Sequence, residues 1–269
     1  MTPTFTFTQG DSPLVVSAPH VGTYAPAAIL GRLAPEAAEL ADTDWHIERL
    51  YDFARGLGAS MIAATHSRLV IDLNRDPEGR PLYPGASNTE LCPLGTFADG
   101  PVYRTGAEPS ADEVARRVEL HWRPYHEALA AELARVRARF GVAVLWDAHS
   151  IVSRAPRFFE GVLPDFNLGT ADGASCDAGL AARVERILAS TPGFTSVHNG
   201  RFKGGYITRR YGRPGEGVHA LQLEMAQSAY MVEGPPFAWD HHRAERVRPA
   251  IRACLEACLD WARGRAARQ

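Results

Sequence analysis

The chain has 269 residues, 45% of them hydrophobic and 22% charged, which is typical of a soluble globular protein. Its 29 basic and 31 acidic residues give a formal net charge of −2, and the arginines are scattered, which disfavours a nucleic-acid-binding protein. The sequence has no apolar run long enough to span a membrane, no secretory signal and no disulfide framework among its four cysteines. We therefore expect a reduced, cytoplasmic protein. Its length fits one large α/β domain as well as two smaller ones, and we take the chain as a single domain over 1–269.

The first half of the chain alternates short strand and helix patterns. The predicted elements are a buried strand over 14–17, a helix over 44–57, a strand over 59–64 and a short apolar run over 69–73. Residues 75–106 are rich in Pro, Gly, Asn and Asp and show no periodicity. A loop of this length in a compact domain is usually functional or disordered.

The second half predicts one long helix over 108–140, bent or broken near Pro124. The elements that follow are a buried strand over 142–146, an irregular segment over 151–175, a helix over 176–190, an edge strand over 195–198, a glycine- and arginine-rich segment over 200–217, a strand over 220–225 and an amphipathic helix over 240–265. Strands that alternate with helices indicate a mostly parallel sheet covered on both faces.

Two histidines come just after predicted strands, where ligands bind in such sheets. His20 follows the strand over 14–17, and His149 follows the strand over 142–146. Asp147 lies two residues before His149, on the same face of an extended chain, where a carboxylate can fix the tautomer of a ligating imidazole. The pattern favours a metal site, although polar residues at ordinary strand ends and turns remain the alternative.

A third metal ligand should leave one position open for water. Asp42 and Asp44, at the start of the predicted helix, are both candidates. An aspartate at that position is also typical of a helix cap. Spacing alone does not choose between them.

Glu224 lies in an alternating strand and shares a face with Gln222. A buried glutamate here would act as a proton carrier with a raised pKa, whereas one on an edge strand would face solvent. Several further polar residues beside strands could hold the carboxylates of an anionic small substrate. These are Arg68, Asn74, Arg75, Arg209, Arg210 and the run Lys203-Gly204-Gly205-Tyr206.

At these residues the chain resembles the N-formylglutamate amidohydrolase (deformylase) family of histidine catabolism. The matching runs are 16–23, 42–46, 67–75, 146–150, 202–208 and 222–225, in the family's order. The resemblance implies a zinc-exopeptidase-like, three-layer α/β/α sandwich with a mostly parallel or mixed sheet. It also implies hydrolysis of N-formyl-L-glutamate to formate and L-glutamate, with a small-molecule substrate and no membrane or nucleic-acid partner, and it allows a homo-oligomer.

The resemblance further implies roles for individual residues. His20, Asp44 and His149 match the zinc ligands, and Glu224 matches the carboxylate that activates water. The predicted substrate-binding residues are Arg68, Asn74, Arg75, Lys203, Gly205 and Arg209. The chain departs from the zinc carboxypeptidases at the third ligand: their compact His-x-x-Glu pair is missing, because position 23 is Thr.

Three alternatives remain open from the sequence. The substrate could be another N-acyl or N-formyl amino acid, or the protein could be a non-catalytic module that binds small anions. A serine hydrolase is disfavoured because no Gly-x-Ser-x-Gly elbow is present, but Ser150 lies beside His149. Iron, manganese or cobalt could occupy a two-histidine, one-carboxylate site in place of zinc.

Overall fold

A computed structural model describes residues 2–82, 85 and 87–266 of the chain. The strands are β1 (Phe5–Thr8), β2 (Leu14–Ala18), β3 (Ser60–Ala64), β4 (Ala143–Ile151), β5 (Phe166–Gly169), β6 (Ser196–His198) and β7 (Val218–Ala226). The α-helices are α1 (Ala27–Leu30), α2 (Ile47–Leu50), α3 (Ala111–Arg117), α4 (Arg123–Phe140), α5 (Ala178–Ala189), α6 (Tyr206–Tyr211) and α7 (His241–Ala266).

The seven strands form one mixed sheet in the order β1-β3-β2-β4-β7-β5-β6. The four central strands β3, β2, β4 and β7 run parallel, so their carboxyl ends lie along one edge of the sheet. Strand β1 pairs antiparallel with β3, and β5 pairs antiparallel with β7. The predicted α/β fold with a mostly parallel or mixed sheet is confirmed.

Helices cover both faces of the sheet and make the outer layers of a three-layer α/β/α arrangement. On one face, helices α5 and α7 pack against β2, β4 and β7 around the fully buried Trp146. On the other face, α4 packs Leu129, Leu133 and Val136 against Val15 and Leu145. Burial on both faces explains why β2 and β4 contain apolar and β-branched residues in succession.

The long helix predicted over 108–140 begins at Ala111 and is interrupted just before Pro124, where a bend or a break was predicted. Proline has no N–H to donate to the carbonyl four residues earlier, and the chain widens into a π-helical turn over Val118–Trp122 before α4 begins. Ser110 caps the start of α3 by accepting a hydrogen bond from the Glu113 N–H. Gly141 ends α4 with a φ of 76°, a conformation that favours glycine.

Four predictions of secondary structure were wrong or incomplete. The helix over 44–57 is broken into α2 and a 3₁₀ helix over Asp52–Leu57, joined at Tyr51 with a φ of −102°. The segment over 151–175, predicted to be irregular, contains strand β5, and the glycine- and arginine-rich segment over 200–217 contains helix α6. Strand β1 was not predicted. Strand β4 continues to Ile151 because it stays paired with β7, so His149 lies within a strand and not after one. Among the described residues, no helix is both long and apolar enough to cross a membrane.

Candidate active site

Three ligand-type side chains meet at the carboxyl edge of the sheet. His20 follows β2, Asp44 lies shortly before α2, and His149 is in β4. Their ligand atoms all lie within 4.8 Å of one another, and all three side chains are buried. Oδ2 of Asp44 is 3.1 Å from Nδ1 of His149 and 3.7 Å from Nδ1 of His20. The structure thus brings together the three residues that the sequence suggested as ligands.

The outer nitrogen of each imidazole faces a second carboxylate. Nε2 of His20 lies 2.7 Å from Oδ1 of Asp72, and Nε2 of His149 lies 3.2 Å from Oδ2 of Asp147. A carboxylate at the outer nitrogen favours the proton there and leaves Nδ1 as a lone-pair donor toward the centre. The position of Asp147 was foreseen from the sequence, whereas the role of Asp72 was missed.

Asp44, and not Asp42, belongs to this cluster. The Asp42 carboxylate turns away and accepts the Phe97 N–H at 3.0 and 3.2 Å, and burial raises the pKa of Asp42 to about 6. The backbone N–H of Asp44 donates to the His20 carbonyl at 3.0 Å, which fixes its carboxylate between the rings. Burial alone would raise the pKa of Asp44, but the imidazoles of His149 and His20 beside it lower this pKa well below its usual value.

Glu224 lies beside the cluster on the next strand. It is the register partner of His149 across β4 and β7, and its Oε2 accepts a hydrogen bond from Nε2 of Gln222 at 3.2 Å. Only 8% of the residue is exposed. Burial raises the pKa of Glu224 to about 7, against the lowering effect of His149. Glu224 therefore faces the site from a central strand, and the alternative of a solvent-facing edge glutamate is wrong.

A cleft of about 560 Å³ opens above these residues. It is lined by His20, Arg68, Asn74, Arg75, Leu82, Ser87, Asn88, Phe97, His149, Ser150, Ile151, Phe158, Arg201, Phe202, Gly205, Gln222 and Glu224. Its floor consists of the polar residues on or directly after the central strands, among them His20, His149 and Glu224. Its walls are arginines and phenylalanines from the connecting segments.

Three arginines line the cleft in different settings. Arg68 donates to Oδ2 of Asp72 at 2.6 Å and stacks over Phe97 at 4.7 Å. Arg75 donates to the Thr89 carbonyl and hydroxyl oxygens.

Arg201 lies over the rings of Phe158 and Phe202 and donates to the Phe158 carbonyl at 2.7 Å. Arg201 is not among the substrate-binding residues predicted from the sequence. The only local signal for it is its position next to the Lys203-Gly204-Gly205 run.

Two predicted substrate-binding residues do not line this cleft. Nζ of Lys203 pairs with Asp172 at 3.0 Å, and the exposed Arg209 donates to the Gly204 carbonyl. Their assignment as substrate contacts stays a prediction that the cleft does not support.

Asn74 and Gly205 do line the cleft and depend on each other. A Cβ on Gly205 would lie 2.1 Å from Nδ2 of Asn74. Asn74 is fixed there because its Oδ1 accepts the Ile207 N–H at 2.8 Å. Its Nδ2 lies 3.1 Å from Nε2 of His149. The absence of a side chain at position 205 therefore lets Asn74 reach the cluster. Gly22, in contrast, makes room for the backbone of His66 and not for a ligand.

Ser150 lines the cleft but is not arranged as a nucleophile. Its Oγ lies 2.7 Å from the Tyr230 hydroxyl and 3.4 Å from Nε2 of Gln227. Across the described part of the chain, no hydrogen bond joins this hydroxyl to His149. A serine needs a general base within hydrogen-bond reach. The geometry therefore gives the serine hydrolase alternative no support.

Comparison with known proteins places the chain in a family. A family model described as N-formylglutamate amidohydrolase matches residues 12–231. A Pseudomonas aeruginosa protein named N-formylglutamate deformylase is 54% identical over 96% of this chain and 97% of its own length. A Pseudomonas putida protein of the same name is 51% identical over 95% of each chain.

Solved structures agree with this assignment. The crystal structure of N-formylglutamate amidohydrolase from Ralstonia eutropha JMP134 superposes with a TM-score of 0.80 at 30% identity, over 97% of this chain and 98% of the other. A gene product of Agrobacterium tumefaciens shares the fold with a TM-score of 0.67 at 18% identity, over 98% of this chain and 95% of its own. The chain therefore belongs to the N-formylglutamate amidohydrolase family.

Proposed function

We propose that the protein is a zinc-dependent hydrolase that cleaves N-formyl-L-glutamate to formate and L-glutamate. The observation that carries this proposal is the buried cluster of His20, Asp44 and His149 beside Glu224, at the floor of an arginine-lined cleft. The names of the relatives supply the substrate. The family resemblance is also our ground for proposing a cytoplasmic enzyme of histidine degradation.

The residues present fit a divalent metal ion. Nδ1 of His20 and Oδ1 of Asp44 are buried and lack a hydrogen-bond partner among the described residues, an arrangement that costs free energy unless a ligand satisfies both atoms. Two carboxylates raise the pKa of His149 despite its burial, so a cation could replace a proton there. Two imidazoles and one carboxylate are a ligand set that zinc prefers for catalysis.

When bound, such an ion would supply Lewis acidity, which acidifies water and polarises a carbonyl group. The chain itself supplies the proton transfers. Glu224 would accept one proton as the water oxygen bonds to the formyl carbon. It would return that proton to the amide nitrogen as the C–N bond breaks. The other proton of the water stays on the acid product, so that formic acid, which ionises to formate, and the free amine leave. A carboxyl with a pKa of about 7 can hold and release a proton near neutral pH.

The charge of the cleft suits a dianionic substrate. Among the described lining residues, three are arginines and one is a glutamate, and this predominance of basic groups suits the two carboxylates of N-formylglutamate. Arginine binds carboxylates through paired hydrogen bonds. We assign recognition of the substrate carboxylates to Arg75 and Arg201, because both line the cleft and hydrogen bonds to backbone carbonyls hold them there.

The decisive test is the metal content of the protein as isolated, measured together with formate release from N-formyl-L-glutamate. We expect about one zinc ion per chain, loss of activity after chelation and its return on adding zinc. Full activity of metal-free protein would contradict the metal assignment. A panel of N-formyl and N-acyl amino acids, compared by kcat/KM, tests the substrate, and a better substrate with another side chain or acyl group would replace the one proposed.

A further inference from the structure

Asp72 connects a proposed metal ligand to a buried cation. The residue is fully buried, and its Oδ1 accepts from Nε2 of His20 at 2.7 Å and from the Asn74 N–H at 2.8 Å. Its other oxygen accepts from Arg68 at 2.6 Å. One carboxylate therefore holds both the ring of His20 and the guanidinium of Arg68.

Arg68 lies between two carboxylates at unequal distances. One terminal nitrogen is 2.6 Å from Oδ2 of Asp72, and the other is 3.8 Å from Oδ1 of Asp44. That Asp44 oxygen is buried and has no hydrogen bond among the described residues. A buried guanidinium that loses its carboxylate partner is expected to move toward another carboxylate nearby, because an uncompensated buried charge costs free energy. Without Asp72, Arg68 would turn toward the oxygen that a metal ion needs.

We infer that Asp72 is a positioning residue with two tasks: it orients the ring of His20, and it keeps Arg68 away from Asp44. The second task preserves an oxygen of Asp44 for the metal ion. The inference rests on the proposed metal site, and it adds a competition between Arg68 and the metal for one ligand.

Asp147 offers a matched comparison. It lies at the outer nitrogen of His149, as Asp72 does for His20. Its other side-chain partners among the described residues are hydroxyl groups, which donate to it from Ser17 at 3.1 Å and from Thr208 at 3.3 Å. Loss of the Asp147 charge would disturb one imidazole but release no arginine.

The test is zinc affinity, measured on the full chain by competition with a chromogenic chelator. We expect Asp72→Asn and Asp147→Asn each to weaken zinc binding by about 10- to 100-fold. Adding Arg68→Met should restore affinity to the Asp72→Asn protein by about fivefold or more, since the competing cation is gone. The same substitution should give the Asp147→Asn protein no such recovery.

The outcomes separate the two proposals. Wild-type protein that does not bind zinc would overturn the proposed function. Wild-type protein that binds zinc, with an Asp72→Asn protein of equal affinity or one that Arg68→Met does not restore, would overturn only the role of Asp72. If Asp72→Asn alone does not fold, Arg68→Met is compared with the double variant, in which no buried cation is left unpaired. Equal zinc affinities in that pair would overturn the inference.

Discussion

The floor and the walls of the cleft are built in different ways. The floor carries His20, His149 and Glu224 on or directly after the central strands β2, β4 and β7, where the register of the sheet sets their relative positions. The walls carry Arg201 and Phe158 on irregular segments held by contacts between side chains and backbone carbonyls. Strand register places the proposed reacting groups, and loop packing places the groups that would recognise the substrate.

This difference predicts two kinds of kinetic defect. Substitutions on the floor should lower kcat, because these residues act on the bonds that change. Substitutions in the walls should raise KM, because they remove contacts with parts of the substrate that do not react. A floor residue that affects only KM, or a wall residue that affects only kcat, would break the distinction.

The largest effect is expected for Glu224→Gln on the floor. The amide keeps the size of the side chain but cannot take a proton from water, so kcat should fall by about 10²- to 10⁴-fold. Formate release under saturating N-formyl-L-glutamate measures the loss.

Zinc content provides the control for this variant, since Glu224 is outside the ligand set and the protein should keep its metal. Near-normal turnover by a zinc-loaded Glu224→Gln protein would remove Glu224 from the proton transfers.

In the walls, Arg201→Met should lower kcat/KM by about 10- to 100-fold, mostly through KM. This fall in kcat/KM corresponds to the loss of one hydrogen bond to a charged group, which contributes about 1.5–3 kcal/mol of binding free energy. Initial rates over a range of substrate concentrations give both constants.

Arg209→Met is the matched control, because Arg209 is exposed and does not line the cleft. Its kcat/KM should stay within about twofold, as for surface substitutions in general. A larger effect of Arg209 than of Arg201 would restore the assignment made from the sequence and reject the one made from the cleft.

The sequence could predict the floor because its residues follow local rules. Apolar runs mark β2 and β4, and polar residues at the ends of parallel strands collect at one edge of a sheet. The direction of the Asp42 carboxylate, which decides the choice between Asp42 and Asp44, depends on the Phe97 N–H in a segment 55 residues further along. No local pattern encodes that contact.

The walls could not be predicted for the same reason. Arg201 enters the cleft because it packs over Phe158, which is 43 residues away in the chain, and periodicity carries no information about such pairs. Strand β5 was missed because its four residues lie in a segment rich in turn-forming residues, and only pairing with β7 makes it a strand.

Gly205 lies where the wall of the cleft joins its floor, and Gly205→Ala should disturb the packing of both. The backbone there is extended, with a φ of −81°, so alanine meets no backbone strain and the effect is steric. Its Cβ would displace the Asn74 amide from the cluster, at a cost of about 2 kcal/mol in the free energy of unfolding. Urea denaturation measures this change, and activity should fall with it.

Gly215→Ala is the control for this variant, since a Cβ there meets nothing within 4 Å. Its free energy of unfolding should stay within about 0.5 kcal/mol of the wild-type value. If both glycine variants are equally stable and active, Asn74 is free to move, and the floor is less rigid than its hydrogen bonds indicate.

The smallest effect concerns His126, which supports the floor from below. Its Nε2–H donates to the Leu73 carbonyl at 2.8 Å, next to Asp72, and its ring stacks on Trp122. Burial lowers the pKa of His126 to about 4, from an ordinary value of 6.5. In the unfolded chain the ring takes up a proton below about pH 6.5, whereas in the folded chain it resists protonation down to about pH 4. Acid therefore favours unfolding, and the stability present above pH 6.5 is lost as the pH falls toward 4.

Between pH 7.5 and 5.5 this difference amounts to about 1 kcal/mol of unfolding free energy. His126→Gln keeps a donor for the Leu73 carbonyl but does not titrate, so its stability should fall less over this interval. His121 and His219 also have pKa values lowered to about 4, and both proteins contain them, so the difference between wild type and variant isolates His126. Urea denaturation at several pH values provides the comparison. Parallel pH dependence in the two proteins would mean that His126 is protonated in the folded state, and that the layer beneath the floor is open to water.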